Sequence, residues 1–117
     1  MKVRDYINTE FESAGYRTQQ YVQFERLCKK ELKKQIAERG INLQSFHGNH
    51  FEWSAVLERG GKFVYVSIGD VRFWDWYERV LVRTMAHEKD WHGGRNHFCS
   101  FDNVAEIAEE LFEGVQL

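Results

Sequence analysis

Residues 51–68 read FEWSAVLERGGKFVYVSI, and this stretch decides the fold. Phe51, Trp53, Ala55 and Leu57 alternate with Glu52, Ser54 and, beyond them, Glu58. A period of two is the signature of a strand with one buried face. Gly60-Gly61 then fits a two-residue hairpin turn, which needs positive φ at both positions. Pairing outward from that turn sets Leu57 opposite Val64, Ala55 opposite Val66 and Trp53 opposite Ile68. All six apolar side chains fall on one face, which fixes the register, because a slip of one residue would expose them all. The expectation is a dry interior wall made of these six, pressed against Trp74, Tyr77 and Leu81.

Upstream, Ile41–His47 is expected as a third strand, joined through Gly48-Asn49. Before it, Thr18–Arg39 carries Tyr21, Phe24, Leu27/Cys28, Leu32 and Ile36 at helical spacing. Thr18 is suited to cap that helix and Gly40 to end it. Val3–Phe11 has a shorter pattern of the same kind, stopped by Ser13-Ala14-Gly15. Downstream, Gly69-Asp70 makes a corner. An aromatic helix is expected over Val71–Glu88, capped by Asp70, with Trp74, Tyr77, Leu81 and Met85 inward and an Asp75–Arg79 pair outside. A Gly/His loop, Lys89–Cys99, leads to a last helix capped by Ser100, with Phe101, Val104, Ile107, Ala108 and Leu111 inward. The predicted fold is α+β: a three-stranded antiparallel meander with helices before and after it (α-α-β-β-β-α-α), one domain over residues 1–117.

The chain has 117 residues, 15% of them aromatic, enough for a core without disulfides or metal. Charged residues make up 29% and proline is absent, which excludes a disordered chain. A net charge of −2 gives no global attraction to nucleic acid or membrane. The charge is uneven, since beyond Arg59 six basic residues face ten acidic ones. Cys28 and Cys99 are too few and too distant for a disulfide framework and read as reduced thiols. Residues 1–6, MKVRDY, lack the apolar run of a secretory leader, and no stretch is long and apolar enough to span a membrane. A cytoplasmic protein is expected.

His87, His92, His97 and Cys99 are zinc-ligand types within thirteen residues. Their spacing matches no zinc pattern, so neither metal nor cofactor is expected. Cys28 or Cys99 beside a histidine is the raw material of a thiol nucleophile. No nucleophile elbow, Walker loop, H-E-x-x-H or dinucleotide fingerprint supports catalysis. The loop Trp91-His-Gly-Gly-Arg-Asn-His97 has two readings. Its paired glycines let successive N–H groups converge into an anion nest, with Arg95 adding charge. The plainer reading is a chain reversal anchored by Trp91 and Phe98.

Three surfaces are candidates for binding. Lys29, Lys30, Lys33, Lys34 and Arg39 form a basic stripe on the long helix, suited to salt-sensitive, sequence-blind phosphate contacts. The off-core sheet face, with Glu52, Val56, Phe63 and Tyr65, either stacks bases or lies under the first helix. The last helix carries Asp102, Glu106, Glu109, Glu110 and Glu113 with no base among them, a strip suited to a basic partner.

The run Asp70-Val-Arg-Phe-Trp74, followed by Arg83-Thr-Met-Ala-His-Glu-Lys-Asp-Trp-His-Gly-Gly-Arg-Asn-His-Phe-Cys99, resembles small accessory proteins of phages and conjugative elements of gut Firmicutes. The resemblance covers residues 63–113 and includes no catalytic motif, so it assigns no residue a role. It implies an accessory protein of a mobile element, a setting that includes anti-CRISPR proteins. The first expectation is a non-enzymatic protein-binding inhibitor that blocks nucleic-acid access to a host CRISPR nuclease. Its contact surface would be Asp102, Glu106, Glu109, Glu110, Glu113, Trp91 and Arg95. The alternatives are a nonspecific nucleic-acid binder using Lys29, Lys30, Lys33 and Lys34, and a small metal- or thiol-dependent enzyme.

Overall fold

A computed structural model describes residues 1–117. After a 3-10 turn at Val3–Tyr6 come helix α1 (Gln19–Ala37) and strands β1 (Asn42–Gly48), β2 (Trp53–Arg59), β3 (Lys62–Ser67), β4 (Val80–Met85) and β5 (His97–Cys99). A second 3-10 turn, Phe101–Asn103, opens helix α2 (Val104–Phe112). The class is α+β and the sheet is an antiparallel meander, but it has five strands in the order β1-β2-β3-β4-β5 and is joined by two α-helices.

The central hairpin has the expected register. Ala55 pairs with Val66 and Leu57 with Val64, and Ile68 donates its N–H to Trp53 O. Gly60 and Gly61 take φ of +60° and +79°. All six wall residues are buried. β1 pairs with β2 through a bulge between Leu43 and Ser45.

α1 has the expected stripe, with Tyr21, Phe24, Cys28, Leu32 and Ile36 all buried, and Thr18 accepts a bond from the Tyr21 N–H. It packs on the wall together with α2, whose buried side is Val104, Ala105, Ala108, Leu111 and Phe112. Neither Ser100 nor Asn103 caps α2 with its side chain. Gln35 of α1 does this instead: its Oε1 accepts from the Ala105 N–H at 2.6 Å and its Nε2 donates to Phe101 O at 3.0 Å.

Four expectations need correction. The helix over Val71–Glu88 does not form. Asp70 does start a turn, with Phe73 and Trp74 donating to its carbonyl and Arg72 to its carboxylate, but the turn ends and β4 follows. The β-branched Val80, Val82 and Thr84 alternate toward the core and favour a strand. With the helix gone, Asp75 and Arg79 form no ion pair; Asp75 instead accepts from the Glu78 N–H. Of the three residues expected against the wall, only Tyr77 is buried in the core; Trp74 is 60% exposed and Leu81 lies on the other face. Trp76 takes the inward place, 4.6 Å from the Phe24 ring. Finally, the first helix shrinks to Val3–Tyr6, with Phe11 still buried beyond it.

Candidate interaction surface

Both helices cover one face of the sheet, so the chemistry of the other face must be read strand by strand. His47, Ser54, Ser67, Leu81 and Phe98 stand opposite one another across all five strands. The next row is Ser45, Val56, Tyr65 and Arg83, and the third includes Phe63 and Met85. Val56, Arg83 and Met85 are buried although no helix lies over them. Their cover is the β4–β5 loop, residues 86–96. It reaches Tyr65 through Trp91, edge-on at 6.2 Å, and β1 through Glu88, which accepts from Gln44. The first helix therefore does not shield this face.

The loop is folded around two charges. Arg83 is 5% exposed and has no carboxylate partner. Its guanidinium lies 4.5 Å from the Tyr65 ring centroid, and Nη1 donates to the carbonyls of Asp90, at 3.3 Å, and Gly93. A cation over an aromatic face and against carbonyl dipoles is stabilised without a counter-ion. Asp90 supplies the opposite sign. Its carboxylate accepts from the N–H groups of Ala86 at 2.8 Å, Gly93 at 2.7 Å and His92 at 3.3 Å. These bonds, that of Ala86 first and with help from Arg83, hold the Asp90 carboxyl below its ordinary value. Of the loop's N–H groups, His92 and Gly93 do converge, but on the chain's own carboxylate, and Gly94 and Arg95 do not join them. Gly94 is required: its φ is +84°, and a Cβ there would stand 2.3 Å from Thr84 O.

What this hydrogen-bonded loop presents is Trp91, half exposed. A second aromatic cluster lies across Ser67 and Leu81, where Trp74 and Phe98 are exposed and the Arg79 guanidinium sits 5.9 and 5.6 Å from their rings.

The remaining sequence-derived residues are dispersed. Asp102, Glu106, Glu109, Glu110 and Glu113 follow the helical side of the sheet, away from Trp91. The strip is partly neutralised: Glu109 pairs with Arg39 at 3.0 Å and Arg59 at 3.6 Å, Glu113 pairs with Arg59 at 3.7 Å, and Asp102 accepts from Tyr77 Oη. Only Glu106 and Glu110 take part in no ion pair or side-chain hydrogen bond. Arg95 is carried round the sheet edge and lines a hollow with Thr84, His97, Leu111 and residues 114–117. One surface therefore does not include Trp91 and the acidic strip together.

Lys29, Lys30, Lys33 and Lys34 are exposed and make no ion pair. Lys30 and Lys34 border a cleft of about 430 Å³ floored by Leu27 and Phe101, with Glu31, Glu38 and Asp102 interspersed.

His87, His92, His97 and Cys99 do not converge, and no three metal-ligating side chains do. Burial pushes the Cys28 thiol well up, and burial with Glu106 pushes Cys99 up to about 11. Neither is a thiolate near neutral pH, the state a nucleophile needs.

Arg83 and Asp90 were not singled out in the sequence, Trp74 was assigned to the core and Phe98 to an anchor, and Arg79 was placed outside only as the partner of Asp75. An Asp three positions before Gly93 is a recognisable turn signal. Arg83 between Val82 and Thr84 becomes legible only once β4 is known to be a strand. No protein-family model matches the chain, and neither a curated protein nor a solved structure matches it.

Proposed function

We propose that this is a non-enzymatic binding protein that acts on a protein partner through its outer sheet face, with the loop of residues 86–96 as the recognition element. The observation that carries this reading is the buried, carboxylate-free Arg83, which holds a long surface loop in one conformation and leaves Trp91 bare. Ordering a loop in advance removes an entropy cost from binding, and a rigid exposed Trp is a common hot-spot residue. A nucleic-acid partner suits this face less. It offers rings for stacking, but Asp75, Glu78 and Glu88 accompany Arg79 and Lys89, and phosphate affinity needs uncompensated cations.

In its sharpest form the partner is a host CRISPR nuclease whose nucleic-acid site the protein occupies. That form rests on the resemblance of Asp70–Cys99 and on the exposed Glu106 and half-buried Glu110, which make no ion pair. The test is a cleavage assay across guide-loaded effector nucleases of each main type, with and without the protein. The expected result is loss of cleavage by one type, weakened at least about tenfold by Trp91→Ala, the cost of one modest hot spot. Unchanged cleavage across the whole panel removes the nuclease reading. Inhibition that Trp91→Ala leaves intact but Glu106→Lys/Glu110→Lys abolishes would transfer the contact to α2.

One observation favours a second reading. The four lysines of α1 face solvent without ion-pair partners, which suits nonspecific nucleic-acid binding. It predicts retention on DNA or RNA at low salt that falls steeply as salt rises.

A further inference from the structure

The cluster around Trp74 lies apart from the Trp91 loop, and its inference is independent of the reading above. Gly69, Trp74, Asp75, Arg79 and Phe98 enclose an open hollow of about 160 Å³. Two opposite charges stand in it unpaired. Arg79 lies over the two rings and makes no ion pair, and the Asp75 carboxylate is bound only by the Glu78 N–H at 3.1 Å. Phe73, next to the hollow in sequence, is 73% exposed, Trp74 60% and Phe98 55%.

We propose that this patch is a two-fold interface between two copies of the chain. A closed dimer needs a surface that complements itself, so that residue i meets j and j meets i. The patch meets that requirement twice. Arg79 of one copy pairs with Asp75 of the other, and the reverse, which removes both unpaired charges. The hollow, walled on two sides by the Trp74 and Phe98 rings, takes an exposed ring of the other copy, with Phe73 the barest candidate. The three exposed rings offer on the order of 400 Å². That is about half of the ~800 Å² per partner of a stable interface, and the adjoining polar rim can supply the rest. A partner of one charge would leave either Asp75 or Arg79 facing a like sign; a second copy does not.

Sedimentation equilibrium of the full chain from about 5 to 500 μM tests this, covering dissociation constants across the micromolar range. The expected result is a concentration-dependent dimer. Arg79→Asp and Asp75→Arg should each shift it to monomer, and the double exchange, which restores opposite signs, should bring the dimer back. Phe73→Ala should raise the dissociation constant at least about tenfold while leaving Asp75 and Arg79 in place, as loss of a central ring does. All these side chains are exposed, and an unchanged thermal melt of each variant separates lost association from lost folding. A wild-type chain that stays monomeric to the highest concentration overturns the proposal. So does a dimer indifferent to the single reversals, or a double variant that remains monomeric.

Discussion

The two faces of the one sheet are held by different physics. The helical face is an apolar wall in which Trp53, Ala55, Leu57, Val64, Val66 and Ile68 meet α1 and α2. Its stability comes from area removed from water, which has no direction and tolerates small misfits. The outer face, under the loop of residues 86–96, is held by a few directed bonds around Arg83 and Asp90. There a few polar atoms decide the conformation. The wall should therefore fail globally and in proportion to lost volume, whereas the loop should fail locally and abruptly.

The largest effect belongs to the wall. Trp53→Ala removes a fully buried ring system packed on Phe46 and Phe101 and should cost about 3–5 kcal/mol, read from the midpoint of denaturant unfolding. Arg83→Met keeps the length of the stem but strands the Asp90 and Gly93 carbonyls, at about 1–3 kcal/mol. Its signature should be local, with faster amide exchange of Ala86, His92 and Gly93 and little change in β2 and β3. If β2 and β3 exchange faster by the same factor, the two faces are one cooperative unit and the contrast collapses.

Asp90 gives a pH test of the same loop. Its carboxyl is held below the ordinary 3.8 in the folded chain. Its bonds to the loop amides are therefore complete above that range and are lost as pH falls through the depressed value. Amide protection of the loop should stay level from about pH 7 to 5 and decline only below about 3.8, and Asp90→Asn should abolish the step. The smallest effect is expected where the charges are wet. Arg59→Ala breaks the ion pairs to Glu109 and Glu113, both partly exposed, and should change stability by less than about 1 kcal/mol, further reduced by salt.

The same contrast explains what the sequence made legible. Strict alternation around Gly60-Gly61 and the stripe from Tyr21 to Ile36 each satisfy one period only, and both elements form where that period places them. Tyr77, Leu81 and Met85 recur every four residues, so a helix fits them; Val80, Val82 and Thr84 recur every two, so a strand fits as well. Burial of Val80 and Val82 against α2 resolved the tie, and that is a tertiary event. The loop kept two readings for a related reason. Gly93-Gly94 announces converging N–H groups, and Asp90, three positions before Gly93, signals a turn, but the pattern does not say that the one fills the other. The aromatic patch around Arg79 became visible only when Trp74, assigned to the core, proved to point away from it.

Gln35 carries a consequence for how the chain assembles. The first turn of α2 is finished by a side chain 70 residues earlier. Nine residues are too few for a helix to persist alone in water. The C-terminal segment is therefore expected to wind as it docks on α1 and the central hairpin. Gln35→Ala should leave the rest of the chain able to collapse while the tail frays, which would make α2 the last piece in and the first piece out.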